Sequence, residues 1–122
     1  VAIFATRLVS GRPCTVFGSG EQTRDFIYVG DVVEAFVAAA DCADGQLLNI
    51  GTGIETSIND LYRVMAAIAG GPEEPRRSSA RLGELGRSSL DSAQAASKLG
   101  WRPTTSLSEG LPATLEWFAN RC

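Results

Sequence analysis

Three signals for the start of a helix divide this 122-residue chain. In each signal, an aspartate or serine that can accept a hydrogen bond from a helix amide precedes an acidic residue by three positions. The pairs are Asp31 with Glu34, Ser57 with Asp60, and Ser106 with Glu109. Apolar residues recur at helical spacing after each pair, and short β-branched or aromatic runs lie between the helices. Strands that alternate with helices predict an α/β arrangement.

The predicted elements are short. We predict strands over 14–17, 25–29 and 46–50, and helices over 1–10, 31–40, 57–70, 91–100 and 106–118. Pro112 lies inside the last helix, where its missing amide and its ring predict a local distortion. The stretch 73–86 has no hydrophobic period, so we predict a loop there. Its length makes it a candidate binding segment.

The first predicted helix has Ile3, Phe4 and Leu8 on one face and no capping residue before it. This start suggests a fragment, although a frayed natural terminus would look the same. The strands are too few and too short for a complete doubly wound sheet. We therefore expect one incomplete α/β unit over 1–122, with short strands and about five helices.

Composition excludes several classes of function. The formal net charge is −3, which gives no general attraction for nucleic acid. The chain has no histidine, which excludes Ser-His-Asp and Cys-His catalysis within it. Its three cysteines are widely spaced and form no CxxC pair, so we expect a reduced, cytoplasmic protein without a metal site. No apolar run is long enough to predict a membrane span.

Two glycine loops resemble the beginning of a dinucleotide-binding fingerprint. Gly18-Ser-Gly20 and Gly51-Thr-Gly53 each have threonine where the third glycine would stand. The first loop leads into a predicted strand, so we reject it as a cofactor site. The second is predicted to open a helix, which leaves two interpretations, an anion site or a tight turn. We favour the tight turn.

A series of motifs in conserved order connects the chain to a known family. The run 16–33 (VFGSGEQTRDFIYVGDVV) resembles a characteristic segment of the UDP-glucose 4-epimerases, which belong to the NAD-dependent epimerase/dehydratase family of extended short-chain dehydrogenases/reductases. Further matches follow at 48–53, 81–84, 89–91, 98–101, 106–111 and 116–118. The resemblance covers essentially the whole chain. It implies the C-terminal, substrate-binding part of a Rossmann-type epimerase.

The resemblance also implies a cleft for a nucleoside diphosphate sugar. The family positions that bind the diphosphate correspond to Arg24 and Arg81, and a planar guanidinium suits phosphate oxygens. Phe17 matches a residue beside the base, although a role in the core is nearly as plausible. Glu84 matches the acceptor of ribose hydroxyls. Asn49 either contacts the ligand or satisfies the backbone at a strand end.

The family's catalytic residues have no counterpart in this sequence. The family uses a Tyr-x-x-x-Lys pair, but Val32 and Ala66 stand four residues after the two tyrosines, Tyr28 and Tyr62. We therefore assign no catalytic residue and no cofactor-binding residue. NAD is expected to bind to an N-terminal Rossmann half outside this chain. The longer protein would be an epimerase, with a sibling dehydratase or reductase, or a non-catalytic nucleotide-binding or regulatory domain, as alternatives.

The missing half also predicts exposed apolar surface. We expect Phe26, Tyr28, Val33 and Leu48 to lack part of their packing. This surface predicts self-association of the chain, with a homodimer as the state of the longer protein.

Overall fold

The computed structural model describes residues 1–42 and 45–121, in which five helices alternate with four short strands. In chain order the elements are α1 (Ala2–Val9), β1 (Thr15–Phe17), β2 (Thr23–Asp25), α2 (Val29–Cys42), β3 (Glu55–Ser57), α3 (Ile58–Ala69), β4 (Arg76–Ser78), α4 (Ala93–Leu99) and α5 (Leu107–Ala119). This is the mixed α/β arrangement that the alternating pattern predicts.

The strands form two separate pairs. β1 and β4 are parallel, with Phe17 opposite Ser78. β2 and β3 are antiparallel, with Arg24 opposite Thr56. β4 lies within the stretch 73–86, so the prediction that this whole stretch is a loop was wrong. Its residues are all exposed and carry no hydrophobic pattern, and only the ladder with β1 makes them a strand.

Two strand predictions were also wrong in their positions. The strand predicted over 25–29 lies earlier, as β2, and Val29 already begins α2. The run 46–50 forms no strand in the described part of the chain. A short apolar run becomes a strand only beside a ladder partner, which periodicity cannot reveal.

The larger hydrophobic core lies where α1, α3 and α5 pack on β1. Its largest members are Phe4, Leu8, Val16, Leu61, Tyr62, Met65, Leu111 and Leu115. The rings of Phe4 and Tyr62 meet edge to face at 5.5 Å between centroids. Ile3, which was predicted to share this buried face, is instead 66% exposed. A second, smaller cluster joins α2 to α4 through Ala35, Ala95 and Trp101.

Two of the three predicted helix starts are confirmed. The Ser57 hydroxyl accepts the amide of Asp60, and Ser106 with Glu109 forms a reciprocal capping box. The third start was wrong, because α2 begins two residues before Asp31. The Asp31 side chain is buried and accepts hydrogen bonds from a distant segment instead of capping its own helix.

The apolar stripe of α2 is largely exposed. Val33, Phe36 and Val37 are 54%, 72% and 64% exposed, respectively. Phe26, Tyr28 and Leu48, which were also expected to lack packing, are half-buried. Of the four residues expected to lack packing, Val33 alone is therefore exposed, and it lies on the apolar face of α2.

Candidate functional site

A cavity of about 550 Å³ opens between α1, β1, the start of α3 and the segment after β4. Four of the five residues predicted to contact a ligand line this one cavity: Phe17, Arg24, Arg81 and Glu84. They come from three separate parts of the sequence. The two strand pairs bring them together, since β1 pairs with β4 and β2 pairs with β3.

Arg24 is held in a defined orientation at the cavity. Its Nη1 donates to the carbonyl of Thr23 at 2.6 Å and to that of Leu85 at 2.8 Å. Its Nη2 lies 3.6 Å from a carboxylate oxygen of Glu84, which is longer than a hydrogen bond. The Arg24 side chain is 28% exposed. One edge of the guanidinium is thus fixed by backbone carbonyls, and the other faces the Glu84 carboxylate.

Arg81 reaches the same cavity from the segment after β4. Its guanidinium carbon lies 4.0 Å from the centroid of the Phe17 ring, a cation–π contact. The parallel ladder places Ser78 beside Phe17, so a short continuation of the chain brings Arg81 onto the ring. The structure therefore brings a positive charge and an aromatic plane to one wall of the cavity.

Gln22 is a lining residue that the sequence interpretation missed. Its amide nitrogen donates to the Phe17 carbonyl at 3.0 Å and lies 3.5 Å from a carboxylate oxygen of Glu84. It therefore connects the aromatic wall to the acidic one. Its position inside the run 16–33 was the only signal in the sequence that could have identified it.

Asn49 lies away from this cavity. It is exposed, and its side-chain amide donates to the carbonyl of Asp91 at 3.3 Å. Of the two interpretations left open, this contact fits the one in which Asn49 satisfies the backbone. Asn49 is not among the residues that line the cavity.

The second glycine loop, Gly51–Gly53, surrounds the carboxylate of Asp25. Both Thr52 and Gly53 donate their amides to the Asp25 carboxylate, at 3.0 and 2.9 Å, and Thr52 adds its hydroxyl at 2.5 Å. Burial raises the pKa of Asp25, but these hydrogen bonds outweigh it and leave the pKa below its usual value. The loop also continues into β3 before α3 begins. Its amides are therefore occupied by Asp25 and do not suit a pyrophosphate.

The described residues show neither a cluster suited to a metal ion nor a helix long and apolar enough to span a membrane. The lining includes three arginines (Arg7, Arg24 and Arg81), three phenylalanines (Phe4, Phe17 and Phe26) and one carboxylate, that of Glu84. These groups suit a ligand with phosphate, flat aromatic and hydroxyl parts.

Comparison with known proteins identifies the class that this fold and cavity define. The profile of the NAD dependent epimerase/dehydratase family matches residues 1–51. Related 4-epimerases align with 99% of the chain. The chain belongs to this family and matches the C-terminal portion of its members. It spans 39% of the length of the first relatives that it matches.

Individual relatives specify the likeness further. The UDP-glucose 4-epimerase of Mycolicibacterium smegmatis is 47% identical over 122 residues, covering 99% of this chain and 39% of that protein. The structure of UDP-glucose 4-epimerase with UDP-glucose from Thermotoga maritima superposes with a TM-score of 0.94 at 42% identity, covering 98% of this chain and 39% of that one. The structure of UDP-glucuronic acid 4-epimerase from Bacillus cereus, in complex with UDP-glucuronic acid and NAD, superposes with a TM-score of 0.86 at 30% identity. It covers 98% of this chain and 39% of that one.

The likeness also extends beyond epimerases. The dTDP-glucose 4,6-dehydratase of Actinoplanes sp. is 32% identical over 125 residues, covering 99% of this chain and 39% of that protein. The fold and the motifs of the chain are therefore shared by enzymes with different reactions on nucleotide sugars.

Proposed function

We propose that the 550 Å³ cavity binds the nucleoside diphosphate part of a UDP-sugar, within a protein that acts as an NAD-dependent sugar-nucleotide 4-epimerase. The observation that supports this most directly is that Arg24 and Arg81, 57 positions apart in the printed sequence, line the same cavity. Two guanidinium groups that converge from β2 and from the segment after β4 suit the two phosphoryl groups of a diphosphate.

Each of the four predicted residues that line the cavity has a task in this proposal. Arg24 offers Nη2 to a phosphoryl oxygen, which replaces the 3.6 Å contact to Glu84. Released from Arg24, Glu84 accepts hydrogen bonds from ribose hydroxyls. Arg81 leaves the Phe17 ring for the second phosphoryl group, and the freed ring faces the base. The ligand thus exchanges contacts within the protein for charge-assisted contacts of its own.

NAD belongs to the proposed protein but does not fit the residues of this chain. The amides of the Gly51–Gly53 loop bind Asp25, and Gly18–Gly20 leads towards β2 instead of a helix. We propose that NAD binds to a Rossmann half outside this chain, and that this half also supplies the catalytic tyrosine and lysine. The role of this chain is to hold the nucleotide so that the sugar reaches that half.

The second candidate is a sibling dehydratase, which the 32% identity to a dTDP-glucose 4,6-dehydratase favours. Both reactions require the same hold on the diphosphate, so the cavity alone suits either. The base does not separate the two classes, since the relatives include a dTDP-L-rhamnose 4-epimerase as well as the dTDP-glucose 4,6-dehydratase. Analysis of the product formed by the longer protein separates them, because an epimerase yields an isomer of its substrate and a dehydratase yields a product that has lost one water.

Isothermal titration tests the proposal directly. We expect the protein to bind UDP-glucose more tightly than dTDP-glucose. Arg24→Ala and Arg81→Ala should each weaken binding by at least about tenfold, because each removes a charge-assisted hydrogen bond. Arg102→Ala is the matched control, since Arg102 is an exposed arginine that does not line the cavity. Unchanged affinity in both cavity variants would contradict the assignment of the site.

A further inference from the structure

The segment 79–87, which we call the strap, carries Arg81 and Glu84 into the cavity without a hydrophobic anchor. Every strap residue is exposed. Its two large apolar side chains, Leu82 and Leu85, are 106% and 66% exposed. Burial therefore contributes little to the position of the strap, and polar contacts must define it.

Two hydrogen bonds attach the strap to β2 beside the cavity. The Gly86 carbonyl accepts the amide of Thr23 at 2.9 Å. The Leu85 carbonyl accepts Nη1 of Arg24 at 2.8 Å. The second of these bonds depends on a side chain that the proposed ligand also uses. The backbone bond from Thr23 does not depend on the ligand, and a side-chain anchor with the same independence would add to it.

Such an anchor lies at the end of the strap. Arg87 donates from Nε to Glu55 at 3.0 Å and from Nη2 to the other carboxylate oxygen at 2.5 Å. The Thr23 hydroxyl donates to the same carboxylate at 2.5 Å. Glu55 therefore joins β3, β2 and the strap through one group. Two parallel bonds fix the direction of a guanidinium as well as its distance.

The pair lies outside the cavity. Neither Glu55 nor Arg87 lines it, and the Arg87 side chain is 80% exposed. Neither residue is therefore placed to contact a ligand in the cavity directly. Any influence of the pair on binding has to pass through the strap, and in particular through Arg81 and Glu84.

We propose that the Glu55–Arg87 ion pair is a positioning clamp that holds the strap over the cavity, so that Arg81 and Glu84 face the ligand. The part of this inference that concerns ligand affinity rests on the proposed function. The part that concerns the strap itself does not, because it follows from contacts between described residues alone.

The test combines amide hydrogen exchange with titration of UDP-glucose. In Glu55→Gln and in Arg87→Gln, the Thr23 amide, which the strap covers, should exchange about two- to fivefold faster. UDP-glucose affinity should weaken by a similar factor. The charge-swapped double variant, Glu55→Arg with Arg87→Glu, should restore most of the slow exchange at Thr23 and most of the affinity for UDP-glucose. Arg63→Gln is the matched control, since it breaks an exposed ion pair with Asp60 on α3 away from the strap.

The outcomes separate the clamp from the binding proposal. Faster exchange in both single variants and recovery in the charge-swapped double variant support the clamp. The clamp is overturned if the Thr23 amide exchanges as slowly in the variants as in the wild type, while their circular dichroism shows that they are folded. If the wild-type protein does not bind UDP-glucose, the proposed function fails, and the exchange data alone then decide on the clamp.

Discussion

Asp31 shows how one residue can join distant parts of this chain. The residue is 2% exposed, and its carboxylate accepts the amide of Thr105 at 3.0 Å and that of Thr104 at 3.3 Å. Both threonine hydroxyls donate to it as well, and the Trp101 indole donates to the Asp31 carbonyl. Burial raises the pKa of Asp31, but the hydrogen bonds outweigh it and leave the pKa below its usual value.

We expect Asp31→Asn to lower the free energy of unfolding by about 2 kcal/mol at neutral pH, because it replaces charge-assisted acceptors with a group that is half donor. Because the folded-state pKa is lowered, the carboxylate stabilises above its unfolded pKa of about 3.8. This contribution is lost as the pH falls through the folded pKa.

Urea denaturation at several pH values measures both effects. The stability of the variant should therefore decline less steeply in acid than that of the wild type. Glu116→Gln, at an exposed position of α5, is the control. Equal stability of Asp31→Asn and wild type at neutral pH would show that the network adds nothing.

Local sequence could not have shown this network. Asp31 followed by Glu34 matches a capping pair, but the partners of Asp31 lie more than 70 residues away. The cavity was more predictable, since matches to family motifs supplied Arg24, Arg81, Glu84 and Phe17, which all line it. Whether those residues bind a nucleotide sugar stays a prediction.

The elements of this fold differ in how well the sequence predicts them. α3 and α5 follow from their caps and their apolar spacing, and both are confirmed in place. The three-residue strands depend on partners elsewhere in the chain. β4 exists because β1 lies beside it, although its sequence, Arg-Arg-Ser, has low strand propensity. The hydrophobic period and the capping residues therefore located the long helices α3 and α5. Only the three-dimensional structure could locate the strand pairs.

The contact between α5 and Tyr28, which lies just before α2, depends on glycine at position 110, which has no side chain. A Cβ atom added at Gly110 would lie 2.8 Å from Cδ2 of the Tyr28 ring and 3.5 Å from its Cβ. These atoms are close to the backbone of Tyr28, so the ring cannot simply swing away. Glycine at this helix position costs about 0.5–1 kcal/mol relative to alanine, and the close approach of the two elements explains why it stands there.

Gly110→Ala should therefore destabilise the protein by about 1–2 kcal/mol, even though alanine favours a helix. Thermal denaturation followed by circular dichroism measures the change. Glu116→Ala, which places alanine at an exposed position of the same helix, should be neutral or slightly stabilising. If Gly110→Ala raised the melting temperature as well, the contact with Tyr28 would not limit the packing of α5.

At the scale of the whole molecule, the two cores leave α2 unevenly covered. Ala35 packs with Ala95 and Trp101, while Val33, Phe36 and Val37 face outward. A groove of about 440 Å³ continues this apolar surface between α2, the run 46–50 and Leu99. Apolar patches of this kind tend to associate when they are exposed to water. Self-association stays a prediction, and of the residues expected to support it only Val33 lies on the exposed face of α2.

We expect the chain to self-associate through this face at micromolar to millimolar concentration. Phe36→Glu should shift the equilibrium towards the monomer, because it places a charge in the centre of the apolar stripe. Sedimentation velocity over a range of concentrations measures the shift. Ile54→Glu is the matched control, since Ile54 is also exposed, at 67%, but lies outside α2.

The two variants together distinguish a specific surface from general hydrophobicity. If both release the monomer equally, exposed apolar area as such drives association, and α2 has no special part in it. If Phe36→Glu acts alone, the face of α2 is the surface through which copies meet. A wild-type chain that stays monomeric at every concentration contradicts the prediction, and the groove beside α2 is then stable in contact with water.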